Sequence, residues 1–320
     1  MTPRQISGKV PALGDDDYKA QGGRPLKLGI PAAVAALLIA FVPAAEASYR
    51  LAPYKDDLFK YPGVLETTAG GDYVKVDYVE RRDLHERDVV PEKQAKPQYV
   101  DLGVKASQRD MEVKSGRVSV KYIAVGAVDG GAKAIVLYVH GRGGNRGQGA
   151  DDGMFGGNFN RIKNLMARNG GVYLSGEFPS LNARGVAQAK LLLQTYIANS
   201  PGAPVFVACG SLGGRICWGL AKDPEIAQHI DGYILMGSTN DQGFFNTAAF
   251  KRKVPVYIGH GTGDIVMNWR QQEAFFRKFK QLDPGYPVKF ALFNTGSHGT
   301  PIRMTDWRLI LNWMLEVNGA

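Results

Sequence analysis

The chain has 320 residues, 44% of them hydrophobic and 22% charged, which supports a folded core and excludes a disordered, collagen-like or multi-span membrane chain. Lysine and arginine number 39 against 30 acidic residues, a net charge of +9 that favours acidic partners without choosing among lipid headgroups, anionic substrates and nucleic acid. Cysteine occurs only at positions 209 and 217, so a disulfide framework and a cysteine-rich metal site are both excluded.

Residues 1–47 read as a leader. Arg24 and Lys27 precede an apolar run over 28–43, and Ala45-Glu46-Ala47 fits the small-x-small pattern that signal peptidase cuts. The run is short of the ~20 residues needed to span a bilayer as a helix. Cleavage after Ala47 and a periplasmic or secreted protein are therefore expected. The alternative is an inner-membrane anchor through 28–43, suggested by the long polar stretch ahead of Arg24. Removing the leader leaves a net charge of +8, so the basicity belongs to the remainder of the chain.

Residues 48–116 are rich in charge and punctuated by proline, with strand-like alternation over 73–79. They are expected to form an N-terminal β-containing extension wrapped on the main domain. From residue 117 to 320 apolar β-rich runs alternate with segments of helical period. Strands are expected at 117–124, 134–139, 171–174, 204–208, 232–236, 254–259 and 288–293, with helices at 159–168, 183–198, 212–221, 269–281 and 305–317. Runs apolar on both faces, such as Ala-Ile-Val-Leu-Tyr-Val, suit strands covered on both sides. The alternation implies an α/β fold with a mostly parallel sheet and right-handed crossovers.

Ligands of such sheets bind at the carboxyl ends of the strands. Four strand ends here carry glycine-flanked polar residues: His140-Gly141-Arg142-Gly143-Gly144, Cys209-Gly210-Ser211-Leu212-Gly213-Gly214, His260-Gly261-Thr262-Gly263-Asp264 and Gly296-Ser297-His298-Gly299. A serine nucleophile on a tight strand-turn-helix junction needs small neighbours two residues to either side. Ser211 has Cys209 and Gly213 there. A hydroxyl needs a base within hydrogen-bond reach, and His298, after the last strand, is the candidate. The base in turn needs a group that fixes its tautomer. Asp264 is favoured for that role over Asp241. His85 and His229 read as surface residues, and His140 and His260 as structural ones at strand ends. The developing oxyanion would meet the backbone N–H groups of Leu212 and Arg142.

Taken together, these motifs resemble the α/β-hydrolase superfamily, with its oxyanion loop, nucleophile elbow, Gly-x-Gly-Asp acid loop and late histidine. The resemblance covers about 117–320 and departs from the usual pattern at Cys209, where a glycine is normal. It implies an α/β-hydrolase sheet with helices on both faces and an activity like that of small serine esterases and acyl hydrolases.

Other readings fare worse. The glycines of 141–147 do not keep dinucleotide-binding spacing into a helix, no metal-ligand spacing occurs, and no nucleic-acid motif accompanies the charge. No cofactor, metal or nucleic acid is expected. Cys209 ends a strand and Cys217 would lie about two turns into a helix, beyond the ~7 Å that a disulfide tolerates, so two buried free thiols are expected. The segment 240–252 is too short for a helical cap. Arg142, Arg146 and Arg215, near the strand ends, are candidates for pairing with a carboxylate or phosphate of the substrate, as is Arg184. The expected function is exported hydrolysis of carboxylic esters, with thioesters and amides as variants, on a small-molecule or lipid-like substrate. An anionic substrate or a membrane surface would suit the charge. The alternative is a non-catalytic protein of the same fold that binds an envelope partner.

Overall fold

A computed structural model describes residues 49–319; the leader, with its expected cleavage or anchor, lies outside them. Ten strands build the main sheet: β1 (Val64–Thr68), β2 (Tyr73–Val76), β3 (Gln108–Ser115), β4 (Val118–Gly126), β5 (Ile135–Val139), β6 (Val172–Gly176), β7 (Val205–Gly210), β8 (Gly232–Met236), β9 (Val256–Gly261) and β10 (Val288–Phe293). They make one sheet in the order β1-β2-β10-β9-β8-β7-β5-β6-β4-β3. The seven strands from β2 to β6 in that order are mutually parallel, while β1, β3 and β4 run antiparallel to their neighbours.

The segment before residue 117 thus supplies three strands of this sheet. The β1–β2 hairpin closes one edge, with Tyr73–Val76 pairing parallel to Phe290–Phe293 of β10, and β3 closes the other.

Seven α-helices of five or more residues are described: α1 (Glu80–Arg87), α2 (Asn158–Arg168), α3 (Ala183–Asn199), α4 (Gly214–Lys222), α5 (Trp269–Leu282), α6 (Thr300–Met304) and α7 (Trp307–Val317). Period-two alternation divides each strand between two cores. Ile135, Leu137 and Val139 of β5 pack with Leu192, Ile216 and Phe275 of α3, α4 and α5. Val136 and Tyr138 pack on the other side with Phe159 and Ile162 of α2 and Leu311 of α7. Each buried side chain of this size stabilises the fold by roughly 1.5–3 kcal/mol. The sheet is therefore rigid where its carboxyl ends present the loops.

One expectation is overturned at the centre of the sheet. Cys209 and Cys217 are joined by a disulfide, with their Cα atoms 6.4 Å apart. The helix was expected to begin at residue 212, which would carry Cys217 out of reach. Instead Ser211–Gly213 form a 3₁₀ turn and α4 begins at Gly214, so Cys217 sits in the first helical turn, close to the strand end. Strand β9 also begins two residues later than expected, after Pro255, which lacks the N–H a central strand requires. Between β8 and β9 the chain makes only short helical turns, Gln242–Asn246 and Ala248–Lys251.

Candidate active site

Ser211 follows β7 directly and holds a left-handed backbone, φ 51°, unusual for a residue with a Cβ. Close neighbours enforce the turn. A Cβ on Gly213 would lie 2.6 Å from the carbonyl oxygen of His140, and one on Gly141 would lie 2.8 Å from the Cβ of Ser211. Glycine at these two positions lets the loop after β5 and the turn at Ser211 approach each other. At the other flank Cys209 fits because its side chain is buried in the disulfide to α4.

The structure brings together the three residues read as a relay. Ser211 Oγ is 2.9 Å from His298 Nε2, and His298 Nδ1 is 2.7 Å from Asp264 Oδ2. The carboxylate accepts at Nδ1, so that nitrogen carries the proton and leaves Nε2 to accept from the serine hydroxyl. Asp264 is fully buried on its side-chain atoms. Burial pushes its carboxyl up, but hydrogen bonds from His260, His298 and the backbone N–H groups of Met267 and Val266 outweigh it. The carboxyl is held well below the usual carboxylate range. It therefore stays ionised beside the imidazole.

Asp241, the competing acid, lies elsewhere. It caps the turn after β8 through Gly243 N at 2.8 Å and pairs with Lys222.

Three contributors to this geometry were not read as such. His260 is fully buried, with Nε2 3.0 Å from Asp264 Oδ2 and 3.1 Å from the carbonyl oxygen of Met267. Both partners are acceptors, so Nε2 carries the proton and Asp264 Oδ2 receives two imidazole N–H groups. A His-Gly-x-Gly-Asp spacing, which puts histidine and acid four positions apart, was the available signal.

The second contributor is Glu80 at the start of α1. Its carboxylate accepts from Ser297 Oγ at 3.2 Å, Ser297 N at 3.4 Å and Thr300 Oγ1 at 3.1 Å, the residues flanking His298. Glu80 N donates to Thr295 Oγ1 at 3.1 Å as well. The N-terminal extension thus grips the histidine loop. The third is Tyr138, whose buried hydroxyl has no partner among the described residues and which lines the recess beside Ser211.

The backbone N–H groups of Arg142 and Leu212 donate to no loop, turn or side-chain acceptor among the described residues. Gly141 and Arg142 share a recess of about 150 Å³ with Ser211 and His298. The arginines read as substrate ligands separate. Arg142 and Arg215 line the recesses at the strand ends. Arg146 does not: it donates to both carboxylate oxygens of Asp110 at 2.9 Å each and also pairs with Glu177. Its partners stand 36 and 31 residues away, which adjacency in sequence could not disclose. Its guanidinium ties the loop after β5 to the sheet edge, which corrects the expectation that it meets substrate. Arg184 is exposed at the start of α3.

No family model matches the chain, and no curated protein does. Among solved structures it is similar to an Agrobacterium tumefaciens protein of unknown function described as an α/β hydrolase, at 15% identity, over 66% of this chain and 97% of that one, with a TM-score of 0.50. It is also similar to a thermostable esterase, at 14% identity, over 67% of this chain and 63% of that one, with a TM-score of 0.53. At such identity the likeness shows the fold. The chain has the α/β-hydrolase fold.

Proposed function

We propose that the protein is a serine hydrolase that cleaves carboxylic esters through an acyl-enzyme. The observation that carries this reading is the continuous chain Ser211 Oγ–His298 Nε2–Asp264 Oδ2, 2.9 and 2.7 Å, on a serine held at φ 51°. In the first half-reaction Ser211 Oγ attacks the ester carbonyl carbon and its proton passes to His298 Nε2. The carbonyl oxygen gains the electron pair and is met by the N–H groups of Arg142 and Leu212. Collapse of the tetrahedral adduct breaks the carbon–oxygen bond to the leaving alcohol, which takes the proton back from His298. Water then repeats the sequence on the acyl-serine and releases the acid. Asp264 stays ionised throughout and stabilises the imidazolium. Thioesters and amides place their carbonyls in the same arrangement and are the nearest variants.

Two observations support action outside the cytoplasm: the leader sequence, and a Cys209–Cys217 disulfide of the kind that persists in oxidising compartments. The reading is tested with p-nitrophenyl esters of increasing acyl length on the protein beginning at Ser48. Short acyl chains should be preferred, in keeping with a recess of about 150 Å³. Ser211→Ala should lower turnover by several orders of magnitude without altering the fold. A variant keeping more than about a tenth of the activity would reject Ser211 as nucleophile. An N-terminus near Ser48 in the periplasmic or secreted fraction supports export, and an intact leader in the membrane fraction means an anchor.

A further inference from the structure

Two recesses meet at Gly141 and Arg142. The smaller holds Ser211 and His298 and has apolar walls from Phe155, Met236 and Ile302. The larger, of about 390 Å³, is lined by residues 140–144 and 178–182 together with Leu212 and Arg215. No carboxylate is among its lining residues.

Its two guanidinium groups contrast with those that are neutralised in place elsewhere in the described residues. Arg146, Arg161, Arg168, Arg303 and Arg308 all meet carboxylates. Arg142 and Arg215 are exposed and form no ion pair among the described residues.

The walls of the larger recess are tied together. His140 Nε2 accepts from the backbone N–H of Phe178 at 3.0 Å, while its Nδ1–H donates to the carbonyl oxygen of Gly141 at 2.8 Å. The loop after β5 is thereby fixed to the loop after β6. Ser175 Oγ adds a second tie by donating to the carbonyl oxygen of Arg146 at 2.7 Å. Two cations therefore stand on a preformed cleft next to the nucleophile.

We propose that this larger recess is a subsite for an anionic group, a carboxylate or a phosphate monoester, carried by one arm of the substrate ester. The proposal rests on the hydrolase reading above. Arg142 lines both recesses, Leu212 the larger and Ser211 the smaller, so a carbonyl between the two N–H donors sends one arm into each. The smaller takes a short apolar arm. The larger takes the charged one, which two guanidinium forks can meet with paired N–H groups.

The test uses matched esters at about 10 mM ionic strength, where charges act over ~30 Å. On the leaving side, 4-acetoxybenzoate and 4-acetoxyphenyl phosphate are compared with neutral 4-acetoxybenzamide. On the acyl side, 4-nitrophenyl hemisuccinate is compared with 4-nitrophenyl pentanoate. In one of the two sets kcat/KM for an anionic ester should exceed that of its neutral counterpart by roughly tenfold, equivalent to about 1.4 kcal/mol. The Arg142→Gln/Arg215→Gln double variant should bring that ratio close to one, mainly through KM. A stronger response to phosphate or to carboxylate identifies the anion, and either supports the subsite. Ratios near one in both sets, or a ratio the double variant leaves intact, would overturn it.

Calorimetric binding of benzoate and phenyl phosphate to Ser211→Ala separates the subsite from the chemistry. Binding that the arginine substitutions abolish supports the subsite even where fluorophosphonate fails to label the wild type, an outcome that would remove only the hydrolase reading. Failure of both anions to bind, with labelling intact, would remove the subsite alone.

Discussion

Glu80→Ala removes the carboxylate through which the N-terminal extension holds the histidine loop. Its side chain accepts from Ser297 Oγ, Ser297 N and Thr300 Oγ1 at 3.2, 3.4 and 3.1 Å. A hydrogen bond to a charged group contributes about 1.5–3 kcal/mol net. Glu80 is half-buried, so water can replace part of each bond, and the long backbone contact adds little. About 1–2 kcal/mol of ordering is therefore lost from the loop. Contacts independent of the side chain persist: Thr295 Oγ1 still accepts from Glu80 N and donates to the carbonyl oxygen of Tyr78, and Thr295 N still meets Thr262 Oγ1 at 2.7 Å. The loop should loosen without unfolding. A loss of that size, felt in the placement of His298, lowers kcat by roughly 5- to 30-fold. Because Glu80 does not line either recess at the nucleophile, KM should change little. Glu80→Gln keeps one acceptor oxygen and should recover part of the loss. The assay is steady-state kinetics on a neutral aryl ester for both variants, with thermal melts run in parallel. A kcat within about twofold of wild type in Glu80→Ala, or a loss carried by KM instead, would refute a positioning role.

Asp264→Asn should lower kcat by about 10⁴-fold, because an amide no longer enforces the imidazole tautomer, whereas Asp241→Asn, facing Lys222 and Gly243, should change it little. Steady-state kinetics on the two variants check this order. Acid titration of stability tests the same carboxylate. Its folded value is depressed, so its contribution is present in full above about pH 4 and is lost as pH falls through the folded value. Denaturant melts between pH 6 and 2 should therefore show Asp264→Asn losing stability less steeply than wild type (about one proton fewer in the linkage). Alkylation of the fully denatured, unreduced protein should add no label to Cys209 or Cys217, and Cys217→Ala should cost about 2–3 kcal/mol in denaturant melts, given the short loop closed.

The strands from residue 135 onward were legible because they are apolar on both faces, and the candidate site residues because each follows such a run within a few positions. Ser211, Asp264 and His298 could be placed together at the carboxyl ends of the strands from that rule alone. The extension was less legible. Helix α1, Glu-Arg-Arg-Asp-Leu-His-Glu-Arg, has almost no apolar stripe, and its role depends on a contact between Glu80 and residues more than 200 positions later. Periodicity carries no such information. The same holds for Arg146, whose carboxylate partners come from other strand ends, and for the parallel seat of β2 against β10. The disulfide was missed through an error of two residues at a helix start, the least determined feature of a sequence reading. His260 was placed correctly but read as a loop hydrogen-bonder. Only the geometry shows that its partner is the acid itself.

The most direct test of the central claim is the site of covalent modification by a fluorophosphonate. The wild-type protein should take up one equivalent, the adduct should map to Ser211 by peptide mass spectrometry, and labelling should vanish in Ser211→Ala and slow strongly in Asp264→Asn. An unlabelled wild-type protein, or an adduct on any other residue that survives Ser211→Ala, would contradict it.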